Sequence, residues 1–297
     1  MANVLIAGES WISSTVEYKG YDSFASTKLE NGCSHLVKEL EARGHSVTHL
    51  FAHDVPEQFP WSEDDMAEYD VIILSDIGAN SILLSERVFD QGKPTVNRLE
   101  VLKHWVLNGG ALMMAGGYLS FAGFEGKAHY HGTPVEEVLP VNILPYDDRR
   151  EVPQGLTPQV TKESLITENL GRFPQVLGYQ VATPKEGSDI LLKVAGDPLL
   201  VTASFGKGKS LAYMSDIGPH WASDEFMNWQ NYGEFFSRCI NWLSNNWDWD
   251  RKKARRWIQQ IIRWKRVLLF LCSCWRLFLR GCFHRCNLPL MDNWVAH

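Results

Sequence analysis

The sequence predicts an α/β fold: a doubly wound, mostly parallel, flavodoxin-like sheet with an antiparallel strand extension. Three observations predict it. Short aliphatic runs alternate with helically spaced segments through the first half. Val71–Leu74 is four aliphatics in succession, as a strand covered on both faces requires. Three strand patterns joined by tight turns then fill residues 190–214. With 297 residues and 45% hydrophobic content, the chain can bury a full-sized core.

The elements follow in order. Val4–Ala7 is an apolar run ending in Gly8-Glu9-Ser10. The long segment Trp11–Thr27, with Tyr18, Tyr21 and Phe24, reads either as a lid over a crevice or as a self-association surface. Leu29–Ala42 has helical spacing, with Leu29, Cys33, Leu36, Val37 and Leu40 on one face, and Arg43-Gly44 stops it. Ser46–Phe51 alternates as a strand. Val96–Leu107 is helical with Leu99, Leu102, Val106 and Leu107 inward, and the strand Ala111–Ala115 follows a glycine pair. Crossovers of this length imply right-handed βαβ units.

The second half changes character. Proline and glycine punctuate Pro134–Pro145 and Glu151–Pro184, which predicts irregular connections and short strands. Ile190–Val194, Leu199–Phe205 and Ser210–Met214 form an antiparallel meander appended to the sheet. The intervening Phe205–Ser210 has the look of a phosphate loop. Ala203 stands where such a loop needs glycine, however, and a strand follows, so a hairpin turn explains it. A helix from about Glu225 to Leu243 places Phe235, Cys239 and Leu243 on one stripe. One domain is expected over residues 1–246.

Composition breaks after that. Residues 248–297 hold 11 Lys and Arg against 3 Asp and Glu, whereas residues 1–247 hold 18 against 32. The acidic body argues against nucleic acid as a partner. The tail, 247–297, is rich in Trp and Cys. Its run Val267–Trp275 is too short to span a bilayer. Trp257, Ile261, Trp264, Leu268, Leu271 and Trp275 recur at helical intervals, so membrane contact is expected only if this tail is native. The other reading is a non-native extension that does not pack on the domain. Its cysteine spacing fits no zinc ribbon or finger, and Cys33 and Cys239 in the body make no disulfide framework. Met1–Ser10 enters a strand without a basic, then apolar, leader pattern, which favours a cytoplasmic setting.

The chemistry-bearing residues collect at strand ends. Ser-Asp-Ile-Gly occurs twice, at Ser75–Gly78 and Ser215–Gly218, each time directly after an apolar strand. If those strands are parallel, Asp76 and Asp216 reach one edge of the sheet, where crevices form in open α/β folds. Five segments would converge there: Glu9-Ser10-Trp11, Asp76 with Asn80, Gly116 to Ser120 including Gly117 and Tyr118, Asp216, and His220-Trp221. An Asx-turn closed on its own backbone is the other reading of each aspartate. Ser10 and Ser120 are nucleophiles only with a base in reach. His220 has the titration range of a general base. On a strand, His129 and His131 would share a face and could hold a metal, but no third ligand is evident. No metal or cofactor is expected.

The segments VLIAGESW, YDVIILSDIGAN, GGALMMAGGYLSFAG, TPVEEVLPV and SDIGPHW, in this order, resemble the glutamine amidotransferase-like family of the class I glutamine amidotransferase-like superfamily. The resemblance covers about Asn3–Asn246. In active members of that superfamily, a Cys on a strand-to-helix elbow attacks the glutamine amide, a late His activates it, and a carboxylate orients the His. Carried over, Gly117 or Tyr118 stands where the Cys belongs, and His220 lies near the position of the His, within Gly-Pro-His-Trp. The resemblance therefore implies a diverged member without glutaminase activity, acting as a small-ligand-binding or assembly module; the aromatic residues of the chain separately make a homo-oligomer an expectation. The alternative is a hydrolase in which Asp216 and His220 activate water, with or without a metal at Asp76.

Overall fold

A computed structural model describes residues 1–245 of the chain, and Met1–Asn246 form one compact unit. The readings made for 247–297 lie outside the described residues. β1 (Asn3–Gly8) passes at once into a hairpin, β2 (Ser10–Lys19) and β3 (Asp22–Asn31). α1 (Ser34–Ala42), β4 (Ser46–Leu50), α2 (Val55–Gln58), α3 (Glu63–Met66) and β5 (Val71–Ser75) follow. Next come α4 (Ala79–Leu83), α5 (Glu86–Phe89), α6 (Arg98–Asn108), β6 (Ala111–Ala115) and α7 (Pro134–Glu137). Short strands β7 (Val141–Ile143), β8 (Arg149–Leu156), β9 (Gln159–Val160), β10 (Val176–Gln180) and β11 (Ala182–Pro184) lead to the meander. That meander is β12 (Asp189–Val194), β13 (Asp197–Phe205) and β14 (Gly208–Tyr213), and the helices α8 (Asp224–Met227) and α9 (Tyr232–Leu243) close the fold.

The main sheet has eight strands in the order β4-β1-β5-β6-β14-β13-β12-β9. The pairings from β4 through β14 are all parallel; those of β13, β12 and β9 are antiparallel. Counted among themselves, the five parallel strands run 2-1-3-4-5, the flavodoxin order, whose switch point lies between β1 and β5. Every residue of β5 and β6 is buried, so both faces of the sheet are covered. α1 packs with α9, and α6 with α3, α4 and α7. The stripe Phe235, Cys239 and Leu243 of α9 is buried as its spacing requires, and Phe235 and Phe236 meet the ring of Tyr213 edge-on.

Four local expectations need correction. The helix expected from Leu29 begins only at Ser34, and Leu29 lies exposed in β3. The pairing of residues 22–31 with 10–19 through the two-residue turn Gly20-Tyr21 takes the chain before a helix can start. For the same reason Trp11–Thr27 is no lid lying over the strand ends: from Ser14 to Leu29 the hairpin is exposed on both faces. The helix expected over 225–243 is two helices, interrupted between Asn228 and Asn231. Finally, His129 and His131 share no strand. His129 has φ 59°, and His131 Nδ1 lies 2.9 Å from the Ile143 carbonyl, so the two imidazoles do not form a metal-binding pair. The turn over 205–208 is the hairpin anticipated, joining β13 to β14.

Candidate functional site at the carboxyl edge of the sheet

Because β1, β5, β6 and β14 are parallel, the residues just past their ends meet at one edge. β1 delivers Glu9, β5 delivers Asp76, β6 delivers Gly116 and Gly117, and the chain leaving β14 delivers Asp216. Glu9 and Asp76 flank the switch point between β1 and β5. Both have left-handed backbones, with φ of 49° and 45°. Such conformations cost on the order of 1–3 kcal/mol each in a residue with a Cβ. The surroundings hold them: Glu9 N–H donates to the Ser75 carbonyl at 2.8 Å, and a Cβ on Gly8 would lie 2.1 Å from that same oxygen.

The carboxylates are buried together. Glu9 is 1% exposed and Asp216 3%. Burial pushes the Glu9 carboxyl well above its ordinary range, and the neighbouring charges of Asp216 and Asp76 push it further. The Ser75 hydroxyl, donating to Glu9 Oε2 at 2.6 Å, opposes that rise. Asp216 is raised chiefly by burial, against the N–H of Gly218 that donates to its Oδ1 at 2.9 Å. Its Oδ2 lies 3.8 Å from His220 Nδ1. Asp76 is also raised by burial, while the Leu119 N–H on its Oδ1, at 2.7 Å, and His220 act the other way.

The elbow after β6 is built from backbone. Gly116 N–H donates to the carbonyls of Tyr213 and Ser215. Gly117 has φ +152°, and a Cβ there would stand 3.0 Å from Asp76 Oδ1. The Gln180 side-chain amide donates to the Gly117 carbonyl. No α-helix follows the elbow directly; the next helical residues are a single 3₁₀ turn at Phe124–Gly126.

The serines serve the framework: Ser120 Oγ accepts the Asp76 N–H at 3.0 Å, and Ser10 Oγ accepts the Ala52 N–H at 2.8 Å. Around them lies a rim of rings. Trp11 sits 5.2 Å from His220, ring to ring, and Tyr118 sits 5.8 Å from Trp221. His220 and Tyr118 face solvent, with the His220 side chain 57% exposed, and Asn80 is exposed on α4. Trp221 is buried, its Nε1 donating to Glu151 Oε2 at 2.9 Å. It fits only because residue 178 is glycine, since a Cβ there would lie 2.1 Å from Nε1.

Sequence reasoning missed a second tier. The Arg149 guanidinium lies over the rings of Tyr118 (4.6 Å) and Phe124 (4.3 Å), and Asp147 accepts two of its N–H bonds. Asp148 accepts the N–H groups of Ala122 and Gly123, each at 2.9 Å, and burial pushes its pKa up to about 6. These residues form the charge run Asp147-Asp148-Arg149-Arg150, whose composition was the one available signal. Cys33 was also misplaced. It is the N-cap of α1 rather than part of a helix face, fully buried beside the carboxylates. Burial, then Glu9 and Asp216, push its thiol well up, which suppresses the thiolate. Cys239 is buried and its thiol is raised too. Among the described residues, no group of three or more His, Cys, Asp or Glu is placed to hold a metal ion.

A family model described as "Putative glutamine amidotransferase" matches residues 3–245. Two solved structures are similar along most of their length. The cytoplasmic protein STM3548 from Salmonella typhimurium is 41% identical, with a TM-score of 0.78 and a match covering 81% of this chain and 98% of that one. The cytoplasmic protein STM1381 from Salmonella typhimurium LT2 is 40% identical, with a TM-score of 0.78 and coverage of 81% and 99%. No curated protein matches the chain.

Proposed function

The chain belongs to the glutamine amidotransferase-like family, and from that premise we propose that it is a diverged member that binds a small molecule at the carboxyl edge of its sheet without cleaving an amide. The observation that carries this reading is Gly117. Of the two positions where the nucleophile belongs, Gly117 carries no side chain, has positive φ and packs so closely on Asp76 that a Cβ would stand 3.0 Å from its Oδ1, and Tyr118 carries a phenol in place of a thiol. The thiols of Cys33 and Cys239 are buried and held protonated, so neither substitutes. The groups left facing solvent are Tyr118, His220 and Asn80, with Trp11 half-buried beside them, which is a binding rim over a buried acidic floor.

A second reading rests on the 3.8 Å approach of Asp216 to His220: a hydrolase in which this pair activates water. It is the weaker one, because Asp216 Oδ1 is already turned onto the Gly218 N–H in an Asx-turn. We further place the protein in the cytoplasm, supported by the description its two Salmonella relatives carry. No helix among the described residues is long and apolar enough to cross a membrane. The acidic balance of residues 1–247 supports a partner other than nucleic acid.

Ammonia release from L-glutamine tests the first reading. The expected result is release at buffer level for the chain and for Cys33→Ala alike; release by the chain that Cys33→Ala abolishes would overturn it. Hydrolysis of p-nitrophenyl acetate that is lost in both Asp216→Ala and His220→Ala would instead establish the second reading.

A further inference from the structure

The hairpin β2–β3 is a two-stranded ribbon apart from the main sheet, and from Ser14 to Leu29 it is exposed on both faces. A lone two-stranded hairpin is marginal in water unless a face of it is packed. Residues directly opposite each other share a face, and successive residues alternate. The register therefore puts all five charged residues, Glu17, Lys19, Asp22, Lys28 and Glu30, on one face. Four of the five pair within that face. Lys28 meets Glu30 at 3.3 Å, Lys19 meets Glu17 at 3.8 Å, and Lys19 also covers the Phe24 ring at 5.0 Å.

The opposite face carries Ile12, Val16, Tyr18, Ala25 and Leu29 and no charge. Nothing in the described chain covers it: Tyr18 is 78% exposed, and Ile12, Val16 and Leu29 are each more than half exposed. An apolar sheet face of this kind is completed by packing on a second layer.

We propose that the occupant is the same face of the same hairpin in a second copy of this chain, giving a two-fold, isologous dimer. Charge limits how two copies can meet. Residues 1–247 carry 32 acidic against 18 basic groups, so two bodies repel each other. A projecting, charge-free face lets two such bodies join while their acidic surfaces stay apart. Area sets the strength. One aromatic ring buries about 150–250 Å² and each aliphatic side chain about 60–120 Å², so Tyr18 with Ile12, Val16 and Leu29 removes about 450 Å² per copy. The total of about 900 Å² falls at the small, transient end of specific interfaces. The dimer therefore forms and dissociates with concentration. This inference stands apart from the ligand reading, since association is measured with no ligand present.

Sedimentation velocity of the full chain, from about 1 to 200 μM, tests it. The expected result is a monomer–dimer equilibrium that Val16→Lys, on the apolar face, weakens at least tenfold. Thr15→Lys, one residue along on the charged face, leaves the dissociation constant within about threefold. Both positions are exposed, and an unchanged melting temperature confirms that each variant folds. A monomer at every concentration, a dimer indifferent to Val16→Lys, or growth past the dimer would each overturn the proposal.

Discussion

Gly117 shows how one position can set the chemistry of an edge. Gly117→Ala must place a methyl 3.0 Å from Asp76 Oδ1 at φ +152°, a combination that costs about 1–3 kcal/mol. Urea denaturation measures it directly, and a loss below about 0.5 kcal/mol would mean that the elbow accepts side chains. The buried carboxylates make a second, pH-dependent case. Glu9 and Asp216 are raised well above their ordinary values, and Asp148 to about 6, each chiefly by burial. A carboxyl raised by folding contributes stability that is complete below its unfolded pKa and is lost as pH rises through the folded pKa. Asp147 has the opposite sign: its partner Arg149 holds it at about 2, so its contribution is lost as pH falls from about 4 towards 2. The melting temperature should therefore rise as pH drops from 8 to about 5, less steeply below about 6.5, where buried His45, lowered to about 4, works the other way, and then fall below about 4. Glu9→Gln keeps an acceptor for the Ser75 hydroxyl and removes the charge. It should raise the melting temperature at pH 8, by about 2–4 °C for each kcal/mol regained, and flatten the rise below it. A melting temperature that falls steadily from pH 8 to 5 would refute this account.

At the scale of elements, legibility followed burial. The parallel strands β1, β5 and β6 were readable because a strand covered on both faces must be a continuous apolar run, and all three are. The meander was readable because its turns are glycine-rich and short. The hairpin β2–β3 was not, because its turn Gly20-Tyr21 lacks the Asn-Gly signal and its apolar face stays exposed among the described residues. Leu29 sits by coincidence in helical register with the residues of α1, which drew the helix five residues too early. Helix α2 was hidden for a different reason. Its four residues are too few for periodicity, and a side chain from elsewhere supports it: Arg98, 1% exposed, donates to the carbonyls of Val55, Pro56 and Phe59 and lies 4.2 Å from the Trp61 ring. Arg98→Lys cannot reach three carbonyls with one planar fork, so it should cost about 1–3 kcal/mol in urea denaturation. Equal stability would show that water or another donor serves α2 as well.

For the whole molecule, the candidate site was legible where topology alone determines it and illegible where packing does. Two Ser-Asp-Ile-Gly segments reach one edge because β5 and β14 both run parallel to β6, which lies between them. That much follows from counting strands. Asp148 clamping Ala122 and Gly123, or Arg149 stacked on Tyr118, depends on β8 and β10 folding back towards the elbow, and no spacing encodes that. The same reasoning bears on where the domain stops. β14 completes the parallel sheet, and α9 then covers it with the buried stripe Phe235, Cys239 and Leu243. The family match likewise ends at residue 245. The charge balance reverses in the residues that follow, from 18 basic against 32 acidic to 11 against 3. We expect the stability of residues 1–246 to rest on this sheet and its covering helix. Truncation after Asn246 should therefore leave the melting temperature within about 1 °C of the full chain, a shift worth well under 1 kcal/mol at this size. A drop of several degrees would show that residues beyond 246 supply packing that the domain needs.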